Sequence, residues 1–493
     1  MSRSVVASVV VVSVFVVHAA VHATHTFCEA GFSIAAADAL ARGDGLAPFP
    51  GAEWVESFDR PLWVALLSLP SALGLHTEWA AKVLGIGLGV GGLGLAAASV
   101  RQLGLRGWWP WLAALGLALH PWWTLWAAAG SGEVLFAVLL MGGLLRLALE
   151  LEDPRRVPLG GVLLGLAGIA RWDAVLPLGF VTLAVLVLGL RRGRTRWMVW
   201  TLGMMVVPAL LWLGARLAMF GTWEAPWMTL WFRMFEGRFG AANRQFVRTT
   251  GRWLFELLPV AVFPVVLGLG VSLRRRSVPP LVGLLMTGLV GQYAAIWAVG
   301  GDWVFTGRRF HLVVALAMPV AVLGVHAAWT GLGRVPLVRA AVGVALVVVT
   351  ANQMWWSARF VASPETTLDS LRRRVDHIRA HARAHHIRTM SLADPDPQAW
   401  MVDTDWPVVD LSGRSGWTSS RKRRAVRDRM LSEDGPTYVH IHAGWDQNYH
   451  MTSDPRWRHV FEEIAPYPIG PDRFHVGTWV RKTALAPECE TGR

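Results

Sequence analysis

DAVLPLGFVTLAVLVLGLRRGRTR, residues Asp173–Arg196, decides how this chain is read. One acid opens the stretch, an uncharged run continues to Leu190, and Arg191, Arg192, Arg194 and Arg196 close it. An apolar run of about twenty residues matches the hydrocarbon thickness of a bilayer. Arginines at one end mark the cytoplasmic side. The stretch therefore predicts a transmembrane helix and also its direction, with Asp173 outside.

The same pattern repeats on both sides of it. Apolar runs lie at about 5–22, 80–100, 109–128, 134–150, 157–170, 197–219, 253–273, 279–298, 310–330 and 336–353. Pro61–Leu75 is also apolar but short, carries Pro61 and Pro70, and is expected to lie along the membrane surface or re-enter. The first run could be a cleaved signal peptide, with Val21-His22-Ala23 as the cleavage site, but an uncleaved span is the preferred reading. With the N-terminus in the cytoplasm, about eleven spans put Arg101/Arg106, Arg155/Arg156, Arg191–Arg196, Arg274–Arg276 and Arg334 on the inner side. Counting 61–75 as a further span would move every later arginine loop outside.

Composition agrees. The chain has 493 residues, 53% hydrophobic and only 16% charged, with mean hydropathy +0.39. Soluble domains carry roughly 25% charged residues, so a wholly soluble enzyme or a disordered protein is ruled against. Twenty-eight Trp stand against 4 Tyr, most of them at or before Trp356, and Trp favours the membrane–water boundary. The net charge of +13 reads as loop arginines rather than a nucleic-acid surface. Two cysteines, Cys28 and Cys489, permit at most one bridge.

After Trp355-Trp356 the composition changes. Residues 370–389, SLRRRVDHIRAHARAHHIRT, predict a basic helix with a solvated face, and short runs at 406–411, 437–442 and 474–481 predict strands. The expected fold is an all-α polytopic membrane protein over 1–353, followed by a small α/β or α+β extracytoplasmic domain over 354–493. His440 and His442 share a strand face, but an isolated HxH pair is a weak metal signal.

The outer connections are 24–79, 129–133, around 171–172, 220–252 and 299–309, plus the tail. Acids at span ends collect there: Glu29, Glu133, Asp173, Glu224 and Asp302. Chemistry is thus expected outside the cytoplasm.

The first outer loop reads Cys28-Glu29-Ala-Gly-Phe-Ser-Ile-Ala-Ala-Ala-Asp38-Ala-Leu-Ala-Arg42-Gly43-Asp44-Gly45-Leu46, and continues through Val55-Glu56 to Pro61-Leu62-Trp63. It resembles the first periplasmic loop of GT-C-fold glycosyltransferases that use polyprenyl-phosphate sugars. The nearest resemblance is to the family of the mycobacterial-type terminal β-1,2-arabinofuranosyltransferase and its bacterial relatives, whose loop reads DDAYIxxRYARNLAxGxGL and then VEGYTNPLW. Further likenesses follow in order: Ser131-Gly132-Glu133-Val-Leu-Phe136 to SGLETxLF, Ala170-Arg171-Trp172-Asp173 to TRPD/E, and Gly300-Gly301-Asp302-Trp303 with Gly307-Arg308-Arg309-Phe310 to GGDWMxxxRF. Phe220-Gly221 weakly resembles YGDPLPNT, and Leu392–Asp394 and Val409–Gly413 resemble the family's strand and turn elements. One departure stands out: the family's paired Asp is here Cys28-Glu29.

The resemblance implies an inverting transferase in the bacterial cytoplasmic membrane, with its active site on the outer face. It would move a monosaccharide from a polyprenyl-phosphate donor to a cell-envelope glycan, lipid or protein. Breaking the anomeric bond to phosphate needs a base for the acceptor hydroxyl and cations for the leaving group, not a strong acid. Glu29 is the expected base, with Asp302 the fallback. Arg171, Arg308, Arg309 and Arg216 are the expected phosphate-binding cations. Asp38, Glu56, Glu133, Asp173 and Trp303 support them, and a divalent metal such as Mg or Mn between Glu29 and Asp302 could take part. Two rivals stand beside this. A lipid-linked-sugar transporter or flippase would place ionisable groups near the midplane and often repeat its halves. A degenerate GT-C scaffold would bind lipid-linked sugar without transfer, which Cys28 favours.

Overall fold

The structure, a computed structural model, describes residues 3–46, 60–153, 155–221, 264–270, 279–298, 308–331, 336–362, 367–411, 423–442, 446, 449–464 and 475–485. Helices α1 (Arg3–His22), α2 (Ala30–Arg42), α3 (Pro61–Ala72) and α4 (Thr77–Gln102) come first. α5 (Trp109–Leu119), α6 (Pro121–Ala128), α7 (Glu133–Glu152), α8 (Leu159–Ala170), α9 (Val175–Arg191) and α10 (Thr195–Phe220) follow. α11 (Pro280–Ala298), α12 (Phe310–Gly331) and α13 (Pro336–Ala362) complete the described bundle. Among the described residues, six helices are long and apolar enough to cross a membrane: α1, α4, α7, α10, α11 and α12. The 253–273 run lies largely outside the described residues, which hold a helical stretch at 264–270.

One expected span is divided. The 109–128 run breaks at His120, which is extended (φ −76°, ψ 120°) because the ring of Pro121 disfavours a helical residue before it. The Ala118 carbonyl, which loses Trp122 N as its helical donor, lies 3.0 Å from the His18 ring, and Thr124 Oγ1 donates at 2.8 Å to the His120 carbonyl that begins α6. Polar side chains thus satisfy backbone that a continuous helix would have paired. Pro61–Ala72 is a 12-residue helix, too short to span, with Pro61 in its first turn.

Helices approach closely where glycine allows it. A Cβ on Gly161 or Gly165 of α8 would lie 2.3 Å from Thr201 O or 2.5 Å from Met205 O of α10. With lipid as apolar as the side chains, such close backbone packing is what holds membrane helices together. Val199, Val206, Leu210 and Leu211 on α10 are exposed, as a lipid-facing side requires. Trp63, Trp122, Trp123 and Trp126 are fully buried in the bundle core.

The tail forms one five-stranded sheet in the order β2-β1-β3-β5-β4, from β1 (Leu392–Asp394), β2 (Val408–Asp410), β3 (Tyr438–His442), β4 (Phe461–Glu463) and β5 (His475–Arg481). β2, β1 and β3 run parallel, while β5 is antiparallel to β3 and β4. Alternation places Leu392 and Tyr438 on one face, against α14 (Leu368–Ala384) and α15 (Gln398–Asp403). Ala393 and Val439 face the opposite core of Val426, Met430 and Trp457.

The basic helix departs from its expected solvated face. Arg374 is buried and pairs with Asp394 at 2.9 Å. Arg372 spans to Glu78 at the head of α4 (2.9 Å), Asp403 (3.0 Å) and Asp369 (3.0 Å). Amphipathic spacing put Leu371, Val375 and Ile378 inward, and Arg374 lies within the same turn. His440 is a core histidine beside Thr478 Oγ1 (2.8 Å).

Candidate active site

The site begins with local backbone. Gly130 and Gly132 take positive φ (75° and 74°), so the chain turns sharply and starts α7 at Glu133. A Cβ on Gly132 would sit 2.5 Å from Trp63 Cγ, and Trp63 Nε1 donates to Gly130 O at 3.1 Å. The α3 helix therefore packs directly on this turn, and Arg60, just before Pro61, is carried to Glu133.

Glu133 is fully buried and collects three guanidinium groups. Arg60 Nη2 donates to Oε1 at 2.7 Å, Arg308 Nε donates to the same oxygen at 2.6 Å, and Arg171 Nη1 pairs with Oε2. Glu29, the N-cap residue of α2, joins from the other side: its Oε2 pairs with Arg308 Nη1 and lies 3.8 Å from Arg60 Nη2. Arg171 also forks onto Asp173, with Nε to Oδ1 at 2.8 Å and Nη2 to Oδ2 at 2.5 Å. Arg309 Nε lies 3.5 Å from Asp173 Oδ2. A fork of this kind fixes orientation as well as charge.

Backbone contacts hold the Arg308-Arg309 pair. His311 places Nδ1 2.5 Å from Arg308 O and Nε2 3.2 Å from Glu133 O. Gln292 Nε2 of α11 donates to Arg309 O at 3.1 Å. Burial alone would raise the Asp173 carboxyl, but Arg171, Arg309 and Arg308 outweigh it and hold it well below the usual carboxylate range. Burial likewise opposes the charge on Arg171, yet Asp173 and Glu133 push its guanidinium further up. Both groups stay ionised.

Of the residues expected from sequence, Glu29, Glu133, Arg171, Asp173, Arg308 and Arg309 come together here. Asp38 does not: its Oδ1 accepts from Ser71 Oγ at 2.6 Å and from Thr77 Oγ1, tying α2 to the α3–α4 corner. Arg216 is buried on α10 with its guanidinium over the Phe220 ring. Glu56, Asp302 and Trp303 lie outside the described residues, as does Cys489. Arg60 and His311 are additions that sequence reading missed. Arg60 carried one signal, a lone arginine directly before the short apolar run Pro61–Leu75.

Among the described residues, no three His, Cys, Asp or Glu side chains form a metal-holding group. The Glu29 oxygen that would face a metal instead faces two arginines. The described residues do not by themselves fit a divalent cation.

Solved structures share this architecture. The ArnT structure from Cupriavidus metallidurans in the apo state aligns with a TM-score of 0.61 at 12% identity, covering 99% of this chain and 100% of that one. ArnT from the same organism bound to undecaprenyl phosphate aligns with a TM-score of 0.58 at 12% identity, covering 97% of each chain. The chain has the GT-C fold. An oligosaccharyltransferase from Archaeoglobus fulgidus, complexed with Zn and sulfate, aligns over 91% of this chain and 71% of that one, at a TM-score of 0.54 and 11% identity. No family model matches this GT-C chain, and no curated protein matches it in sequence. Fold and apolar helices together make it a multi-pass membrane protein.

Proposed function

We propose that this GT-C protein transfers a monosaccharide from a polyprenyl-phosphate donor to a cell-envelope acceptor on the outer face of the bacterial cytoplasmic membrane. The observation that carries this is the convergence of Arg60, Arg171 and Arg308 on buried Glu133, with Glu29 at their margin. The donor is a phosphodiester with one negative charge, and its leaving group gains a second as the anomeric C–O bond breaks. Guanidinium groups already oriented at that point stabilise the transition state more than the ground state. Likeness to the ArnT structure that holds undecaprenyl phosphate supports a lipid-phosphate donor.

In this reading Glu29 accepts the acceptor hydroxyl's proton as the sugar C–O bond forms, with inversion at the anomeric carbon. Arg308, Arg309, Arg171 and Arg216 serve the donor phosphate. Asp302 and Trp303 complete the loop, with Glu56, Glu133 and Asp173 in support, while Asp38 braces α2 against the α3–α4 corner. Residues 1–353 supply the membrane catalytic unit, and 354–493 the extracytoplasmic domain. The sugar class, pentose or hexose, and any Mg or Mn requirement are properties for assay. A second reading has one observation in its favour. Cys28 stands where the resembling family has its first acid, which suits a scaffold that binds lipid-linked sugar without transfer.

Membranes carrying wild type, Glu29→Gln or Asp302→Asn at matched protein levels, fed radiolabelled polyprenyl-phosphate sugars, decide between them. Wild-type label transfer that falls ~100-fold or more in Glu29→Gln is expected, the range for a lost general base. Transfer unaffected by Glu29→Gln moves the base to another group, with Asp302→Asn the direct check. Donor binding without any transfer establishes the scaffold.

A further inference from the structure

The residues that flank Glu29 are held by the C-terminal domain. Two residues before it, Phe27 forms an antiparallel bridge with Thr367, and Leu368 N donates to Thr26 O at 2.7 Å. One residue before it, Cys28 packs against the core that α14 and α15 share with the sheet. Two residues after it, Gly31 meets α15 so closely that an added Cβ would lie 2.6 Å from Gln398 Cβ and 3.2 Å from Leu368 Cδ1. Phe32 and Ala35 on the same face cluster with Met401.

An ionic clasp reinforces this seam. Glu78 accepts from Thr26 Oγ1 with one oxygen and from Arg372 Nη2 at 2.9 Å with the other. Lys82 Nζ donates to Ala23 O at 2.9 Å and lies 3.6 Å from Glu78. Arg372 continues to Asp403 at the end of α15. Burial opposes the charge on Arg372, but Glu78 and Asp403 raise its guanidinium above the ordinary value, so the clasp stays ionised.

We infer that the C-terminal domain is a positioning element of the active site, setting the Glu29 carboxylate through the Gly31–Gln398 contact and the Arg372–Glu78 clasp. This rests on the reading of Glu29 as the base. The bundle supplies the arginines, and the tail supplies the placement of the group that works beside them. Displacement of a reacting group by about 1 Å lowers rate by about 100-fold, so the seam acts on turnover before it acts on affinity.

The test is a steric clash and its relief, in the full chain. Gly31→Ala would by helix propensity alone be favourable, so a loss reports the clash. Expected is a fall of ten-fold or more in kcat, with donor KM within about three-fold. Gln398→Gly alone loosens the contact without a clash and costs less kcat than Gly31→Ala, and Gly31→Ala/Gln398→Gly recovers kcat to the level of Gln398→Gly alone. Gly31→Ala within two-fold of wild type, or a double variant no better than Gly31→Ala, overturns the inference. A second readout needs no transfer: labelling of Cys28 by a membrane-impermeant maleimide in a Cys489→Ser background. Labelling accelerated by Gly31→Ala and slowed again by Gln398→Gly, in a protein that transfers nothing, means the seam sets this segment and only the assignment of Glu29 as base fails. Labelling that ignores both changes overturns the inference by itself.

Discussion

Replacing Glu133 by Gln keeps the shape of the side chain and removes one charge. The carboxylate is wholly buried and is shared by Arg60, Arg171 and Arg308, two of them on Oε1 at 2.7 and 2.6 Å. Removing one member of a buried ionic group costs about 3–5 kcal/mol, because the surviving charges are left desolvated and uncompensated. The Gln carbonyl still accepts one hydrogen bond and Arg171 keeps Asp173, so the lower end, about 3 kcal/mol, is expected. Equilibrium unfolding in lipid nanodiscs, followed by tryptophan fluorescence, measures it. Arg60→Gln closes a double-mutant cycle. The pair is in direct contact, so the double variant should recover roughly 1–3 kcal/mol relative to the sum of the singles. A cost for Glu133→Gln below about 1 kcal/mol, the range of exposed pairs, would refute the buried network. Additivity within about 0.5 kcal/mol would do the same.

Asp173 gives a pH signature. Its folded carboxyl sits below the unfolded value of about 3.9, so its stabilisation is complete above that value and declines as pH falls toward the folded one. The stability gap between wild type and Asp173→Asn, measured by unfolding across pH, should be flat from pH 8 to 5 and shrink below about pH 4. Arg374→Gln strands Asp394, which also accepts from Trp400 Nε1 at 3.1 Å and Asp396 N at 2.8 Å, and should cost the tail about 3–5 kcal/mol, read as faster limited proteolysis of the sheet. Gly132→Ala combines a positive φ with a clash on Trp63, so thermal stability should drop by more than the 1 kcal/mol or so of an ordinary αL glycine.

What the sequence reveals here is governed by range. The helices of the bundle are local, and apolar length exposes them: a helix, Val175–Arg191, lies where the opening stretch predicts one, though at 17 residues it is shorter than the six spanning helices. Four strands, β1, β2, β3 and β5, fall within apolar runs or motif elements read from the tail. The fourth in chain order, Phe461–Glu463, is short and ends in two exposed acids, leaving no alternation to read. The α5–α6 break is marked only by Pro121, which the apolar residues on either side conceal. Glu29, Glu133, Arg171 and Arg308 were legible in motifs, but their partnering, and Arg60 with it, was not. Arg60, Glu133, Arg171 and Arg308 come from separate connections between helices, and no local spacing says which guanidinium meets which carboxylate. The same holds for Arg372 and Arg374, which composition alone assigns to a charged surface.

The two central glutamates of this network differ in one decisive respect. The Glu133 side chain is 0% exposed, whereas that of Glu29 is 15% exposed. On the proposed function, a donor phosphate would compete with the more exposed Glu29 for Arg308. Glu133, fully buried among the guanidinium groups, would hold them aligned with or without the donor. A carboxylate held by arginine is a poor proton acceptor. Exchange of Arg308 from Glu29 to phosphate would thus free the proposed base when the leaving group is in place. On this account Arg308→Gln should weaken donor binding and flatten the dependence of rate on Glu29, while Glu133→Gln should loosen the whole site. A pre-steady-state comparison of donor binding and single-turnover transfer separates them. If Arg308→Gln leaves donor affinity unchanged while abolishing transfer, phosphate does not replace Glu29 on that arginine, and the exchange is wrong.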